Sequence, residues 1–426
     1  MNKPSRINWI RVFVLIGLVI PLTGFDAWAN GFRNPPEGAA ALGKAGGKIA
    51  FSDDASAITH NPANLVNVGE LTLLQSVVLP YANWEFTGLD GRTGESKDDW
   101  KLLGSGHVAA SSEDGKFGYG IALTAPYGQS SQWSDNGPFA FVAPQFAQLR
   151  TIAVNPTMAA KVSDWLDIGA GVNIYRSDIS LRQLYPWSVV TGDPTSQPGN
   201  VILKGDGLGV GASIGMTVHV PGNQRVALTY RSESTISYEG RAELKNFPGN
   251  LPFPVNQIAS PTSRFATEIT FPNIVGLGYG IALHESVQFG IDIEWIEFSS
   301  FESLPLDIGN NQPLLPNSTI PQNWNDTWTL GCGADWSVND LLSLRAGYVW
   351  LESPVPEETF APTLPDTDRH VVSVGVGLSK DRHQVDVAYM LSFYDDAEIN
   401  NNVNPAFNGT YEGEGHLIQL SYAITF

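Results

Sequence analysis

The chain has 426 residues, with 43 Asp and Glu against 24 Lys and Arg, and one cysteine. A net charge of −19 argues against nucleic acid, which needs a basic footprint. A single Cys excludes an intramolecular disulfide framework and a zinc ribbon, and 42% hydrophobic content suits strands with one apolar face rather than helical membrane spans.

Residues 1–29 read as a secretory leader. Lys3, Arg6 and Arg11 form a basic start, 12–22 is apolar, and Ala27-Trp28-Ala29 fits a cleavage site. No apolar run of about 18 residues follows, so there is no helical span. That leaves a soluble secreted protein, or a membrane protein that crosses by strands.

Residues 30–68 do not alternate. They are rich in Gly and Ala, contain Asp53-Asp54-Ala55-Ser56 and close on Asn61-Pro62-Ala63. A disordered tail, a periplasmic arm and a plug are all open readings. The plug is physically sensible, because fourteen strands enclose more space than their side chains fill.

From residue 69 onward the period is two. Val372, Val374, Val376 and Leu378 face Ser373, Gly375, Gly377 and Ser379; Ile168, Ala170, Val172 and Ile174 repeat the pattern, as does the closing run from Ile418 to Phe426. The non-apolar face is small or polar throughout, which fits a lipid-facing wall around a crowded lumen. An ordinary antiparallel sheet with one wet face is the rival. Strands are predicted at 69–88, 100–111, 116–127, 147–162, 166–183, 200–220, 223–245, 262–284, 286–301, 324–337, 340–351, 368–379, 381–395 and 413–426. Pro272 interrupts the eighth, which reads as a bulged strand or as two. Tight turns such as Ser163-Asp164-Trp165 alternate with long Pro- and Asn-rich connections. The expected fold is therefore all-β: a 14-stranded antiparallel transmembrane barrel over 69–426, with a plug at 30–68 one of the three readings open for that segment.

At this point the residues resemble the FadL-type outer-membrane transporters of long-chain fatty acids, a family that includes toluene and xylene uptake proteins. The resemblance runs from Asn30-Gly31-Phe32 through Gly43-Lys44-Ala45, Asp53-Asp54-Ala55 and Asn61-Pro62-Ala63. It continues with Ala125-Pro126-Tyr127-Gly128, Tyr230-Arg231-Ser232-Glu233 and Leu364-Pro365-Asp366-Thr367-Asp368-Arg369, and ends on Tyr422-Ala423-Ile424-Thr425-Phe426. It implies a bacterial outer-membrane barrel closed by an N-terminal hatch. Substrate would be captured among extracellular loops, pass to an inner pocket and leave sideways through a kinked third strand. It also implies that Phe426 is read by the barrel-insertion machinery, with outer-membrane lipid and lipopolysaccharide as surroundings.

Four sets of residues carry the transport expectation. Phe32 matches the family residue that reaches the inner pocket; simple plug packing is the alternative. Ala125, Pro126, Tyr127 and Gly128 match the kink: Pro126 removes a ladder donor and Gly128 tolerates unusual dihedrals. Freed backbone groups there need lumen water or plug contacts; a plain strand end is the alternative. Trp133, Phe139, Phe141, Val142 and Phe146, with Leu184-Tyr185-Pro186-Trp187, are apolar clusters in long loops, read as binding surface or as loops packing on each other. Arg176 and Arg182 are candidate partners for a carboxylate, although strict alternation points Arg182 outward. Asn325 stands where the family often has Lys, which removes a charge-assisted bond and raises an uncharged hydrocarbon as substrate.

The seven His are scattered without metal-ligand spacing, and there is no G-x-S-x-G elbow. No catalysis, metal or cofactor is expected, and Cys332 reads as a small buried filler. A structural or adhesin-like barrel is the rival of another class. A general porin is disfavoured, because a hatch would block open diffusion.

Overall fold

The computed structural model describes residues 31–97, 100–309 and 313–426; the expected leader lies outside them. Alternation builds fourteen wall strands: β1 (Thr72–Gly88), β2 (Leu103–Ser111), β3 (Phe117–Gln132), β4 (Phe146–Ser163), β5 (Leu166–Tyr185), β6 (Gly199–Val220), β7 (Gln224–Arg231 and Ser234–Lys245), β8 (Thr262–Phe271 and Ile274–His284), β9 (Val287–Ile296), β10 (Thr327–Ser337), β11 (Leu342–Leu351), β12 (Arg369–Lys380), β13 (His383–Tyr394) and β14 (Gly409–Thr425). Each pairs antiparallel with the next, and β1 pairs with β14 from Thr72↔Thr425 to Gly88↔Gly409, so the sheet closes. Closure removes the free edges of an open sheet, which a strand-built membrane span requires, and leaves one gap in pairing, between β2 and β3.

Two strands are interrupted. β7 breaks at Ser232-Glu233, which the alternation did not signal, and β8 breaks at Pro272-Asn273, where Pro cannot donate to the ladder. β3 runs on to Gln132, five residues beyond its expected end. Within the long connection after β9, Ser303–Ile308 pairs with Ser318–Pro321 as a hairpin. Connections alternate between short turns at one rim and long loops at the other, with Phe426 at the short-turn rim, its N–H donating to the Leu71 carbonyl at 2.9 Å.

Val372, Val374, Val376 and Leu378 on β12 are exposed on the outer face, as are Val385 and Val387 on β13 and Ile418 and Leu420 on β14. The inner face carries small residues because residues 31–68 lie against it. Helix α1 (Ala39–Lys44) buries Ala39, Leu42 and Lys44 against β11, β12 and β13. Asn61 caps the short helical turn Pro62–Asn67: its Oδ1 accepts from Ala63 N at 3.1 Å, and its Nδ2 donates to Thr217 Oγ1 on β6 at 2.8 Å. Pro62 and Ala63 are buried against Gly169 and Gly215 of the wall.

The closest approach is at the end of α1, where a Cβ on Gly347 would overlap the Lys44 carbonyl. No rotamer relieves a clash with backbone, so Gly347→Ala is expected to lift this turn off the wall while the barrel still forms. Raised ion conductance in a planar bilayer, with an unchanged heat-modifiable gel shift, is the expected result. Wild-type conductance would show that the seat tolerates the methyl group.

Candidate functional site: a loop cavity, an aromatic stop and a broken seam

The third strand is irregular where Ala125-Pro126 interrupts its alternation. Thr124 lies opposite Ala153 on β4 and Tyr127 opposite Thr151, so Ala125 and Pro126 together oppose one residue, Ile152. This is a β-bulge, and it bends the strand. On the other side, β2–β3 pairing ends at Gly106↔Leu123. Beyond that point β2 keeps only its pairing to β1, and β3 only its pairing to β4. The seam is bridged again near the long-loop rim, where Lys97 N donates to Gln132 O at 2.7 Å and Ser96 bridges to Trp133. Between these two edges the wall has no β2–β3 ladder. Leu103 and Ala125 are packed across it with Val78 and Ile152.

The hatch supplies the missing partners. Gly128 N donates to Phe32 O at 2.9 Å, Asn34 N donates to Pro126 O at 3.0 Å, and Asn34 Nδ2 donates to Ala125 O at 2.7 Å. Residues 32–34 thus lie along the inside of the bulge as a short added strand, with Arg33 bridging to Tyr127. An unpaired buried backbone group costs several kcal/mol in an apolar wall, and these bonds remove that cost.

They also fix Phe32. Its ring is 1% exposed, stacks on Trp324 at 5.2 Å and meets Phe271, Phe298 and Phe301 edge-on at 5.2, 5.4 and 5.6 Å. Beside it, Gly31 N donates to Asp366 Oδ2 at 2.7 Å, tying the hatch to the long loop before β12. Burial pushes the Asp366 carboxyl up to about 6, against the charge of Arg369. Arg33 pairs with Glu294 at 2.8 Å, and Lys48 lies 3.4 Å from Asp292 and 3.5 Å from Glu294.

On the loop side of Phe32 is a cavity of about 320 Å³. Its walls include Leu149, Ile179, Leu203, Phe301 and Leu304, and its roof includes Phe360, Leu364 and Phe407. On the hatch side is a chamber of about 100 Å³ lined by charged groups: Arg33, Glu37, Lys48, Arg231, Glu294 and Arg369.

Glu37 lines this chamber together with Thr124 and Pro126 of the bulged strand. Burial pushes its carboxyl up to about 7, outweighing the pull of Ser105, the Ala125 backbone and the charge of Arg231. His60 is driven the other way, down to about 3, by burial and the charge of Lys48; its Nε2 lies 2.8 Å from the Glu37 carbonyl. A carboxyl held above its ordinary 4.5 binds its proton more tightly in the docked hatch than in the released one. The docking it supports is therefore lost as pH rises from about 4.5 through about 7. Asp366 adds to this trend, whereas His60 opposes it below its ordinary 6.5. Glu37→Gln, which stays neutral, is expected to flatten the decline in amide protection of residues 31–37 between pH 5 and pH 8. An unaltered pH profile in that variant would exclude Glu37 as its source.

Several candidates are corrected by this geometry. Arg176 and Arg182 sit at outward positions of β5, where Arg176 pairs with Asp206 at 3.3 Å and Arg182 with Asp135 at 3.0 Å; neither lines the cavity. Asn325 is exposed, with its N–H donating to Pro354 O at 2.9 Å, and the neighbouring Trp324 is the residue that packs on Phe32. Trp133 and Trp187 are buried, bonding Pro362 O at 2.7 Å and Lys245 O at 3.1 Å, and Tyr185 Oη donates to Leu314 O at 3.0 Å. These three brace loop against loop. Phe141 is exposed at the rim, beside Val142 of the cavity lining. Cys332 is half-buried rather than buried.

The cavity walls went unpredicted, although a signal exists. On β5, Tyr175, Ile179 and Leu181 point inward while Arg176, Asp178 and Arg182 point outward, the reverse of the apolar-out pattern in the same strand below Ile174. Beyond the bilayer the wall is wet outside and greasy inside, and that inversion marks the cavity.

A sequence model of outer membrane protein transport proteins (OMPP1/FadL/TodX) matches residues 22–426. A long-chain fatty acid transport protein of Escherichia coli O6:H1 is 24% identical over 391 residues, covering 85% of this chain and 86% of that protein. Among solved structures, a Pseudomonas aeruginosa FadL homologue superposes with a TM-score of 0.81 at 20% identity, covering 93% of this chain and 100% of the other. The Pseudomonas putida toluene transporter TodX gives 0.72 at 15% identity, covering 92% and 99%.

Proposed function

The chain belongs to the outer membrane protein transport family (OMPP1/FadL/TodX), and from that premise we propose that it is a passive conduit for long-chain fatty acids. It takes hydrophobic substrate from its loops into the apolar cavity and releases it sideways through the β2–β3 seam. One observation carries this reading: the cavity ends on Phe32, whose own carbonyl is bonded to the bulge at Gly128. A ligand that displaces Phe32 pulls residues 32–34 from the bulge and so loosens the seam. The route suits the solute, because each CH₂ kept out of water is worth about 0.8 kcal/mol and a lateral exit never returns the chain to water. The cationic groups beyond Phe32, among them Arg231 and Arg369, suit a carboxylate that follows.

A second reading, an uncharged hydrocarbon, is favoured by a separate observation: among the described residues, no Lys or Arg lines the larger cavity. Nothing in either reading asks for catalysis. Growth of a deletion strain carrying this gene on oleate, against growth on toluene, separates the two. Rescue on oleate is expected; rescue on toluene alone would transfer the assignment to hydrocarbons, and rescue on neither would remove the transport reading.

A further inference from the structure

On the outer wall above the apolar band, three cations stand side by side on adjacent strands. Lys204 of β6 is the register partner of Arg241 of β7, and Arg241 is the register partner of Arg264 of β8. All three are exposed and occupy outward positions. Like charges directly opposite one another destabilise a sheet, and here two such pairs are contiguous in a chain of net charge −19. Local carboxylates offset them only in part. Arg264 lies 3.7 Å from Glu239, and Glu243 pairs with Lys245 at 2.5 Å while also feeling the charges of Lys204 and Arg241. Among the described residues, Lys204 and Arg241 have no ion pair of their own. The outer wall has a hollow of about 550 Å³ here, lined by Arg150, Lys204 and Arg241 and by the carboxylates Asp178, Asp206, Glu239 and Glu243.

The height of the row identifies what it meets. Leu208 and Val210 on β6 are 69% and 66% exposed to the bilayer. With a rise of about 3.3 Å per residue and a tilt of about 40°, Lys204 stands roughly 10 Å above Leu208. That is the level of lipid headgroups rather than acyl chains. The row lies toward the long-loop rim, which faces the outer leaflet. We propose that Lys204, Arg241 and Arg264 form a binding site for the phosphate of an outer-leaflet glycolipid headgroup. Two guanidinium groups and an ammonium at cross-strand spacing offer several donors to one phosphate, and the bound anion removes the repulsion that the bare row carries.

The test uses the mature full-length protein in detergent, with native mass spectrometry reading bound lipid. The probes are bis-phosphorylated lipid A, the same lipid dephosphorylated, and inorganic phosphate. Retention of the phosphorylated lipid is expected. The triple variant Lys204→Gln, Arg241→Gln, Arg264→Gln should bind it about tenfold to a hundredfold more weakly, and the dephosphorylated lipid should be similarly weak on the wild type. Lys161→Gln at the opposite rim should bind as the wild type does, and a heat-modifiable gel shift confirms that each variant folds. Equal affinity in the triple variant, or for the dephosphorylated lipid, overturns the site. Displacement by inorganic phosphate at equal concentration overturns the lipid as its source. Loss of binding in EDTA overturns direct contact, because divalent ions on the neighbouring carboxylates would then be the bridge.

Discussion

Deleting residues 30–68 behind an intact leader is expected to convert a nearly silent protein into one of large, steady conductance. Every wall strand pairs with both neighbours over at least part of its length without the hatch, whose backbone pairs with the wall at the bulge of β3, so closure does not depend on these residues. The hatch instead fills the lumen, with Leu42, Ala57, Asn61 and Leu65 fully buried against the wall. Fourteen strands enclose a lumen wide enough for water once it is emptied, and an increase of about tenfold or more over the full-length protein is expected in planar bilayers. Equal conductance would mean that water already bypasses the hatch.

The second large effect concerns the bulge. Deleting Ala125 and replacing Pro126 with Val gives β3 the residue count and the N–H donors for continuous pairing with β4 and further pairing with β2. Hydrophobic uptake should fall to background, while heat-modifiable folding and surface display persist. Repair also deletes the Ala125 carbonyl and draws the carbonyl at position 126 into the regular ladder, so Asn34 loses both acceptors and the hatch strand should lose amide protection at the same time. Uptake at the wild-type rate through a strand shown to be continuous would mean that substrate leaves by another path.

The wall was legible because its period of two is enforced by lipid on one side and the hatch on the other. Val372 to Leu378 can alternate only one way if Gly375 is to admit Gly43 from inside. Pro272 announced the break in β8, since a missing donor is a local property of one residue. The break at Ser232-Glu233 has no such mark, because neither residue disfavours a ladder. Arg176 and Arg182 were misplaced for a different reason. A charged residue suggests a pocket only when the outside is lipid, and near the top of β5 the outside is wet and the interior apolar. Asn325 fails by one position: Trp324 turns in to Phe32, and in this stretch ahead of the strand Asn325 is exposed. The loop aromatics could not be sorted from sequence, because Trp133 and Phe141 differ only in which partners other loops bring to them.

The central claim is that substrate passes through the seam and not beneath the hatch. A photoreactive amino acid placed at Leu103, on the seam, can be compared with one at Lys44, on the buried turn of the hatch, during uptake of radiolabelled oleate. Labelled oleate captured at Leu103 and absent at Lys44 is the predicted result. Capture at Lys44 with none at Leu103 would place the path through the hatch and contradict lateral release.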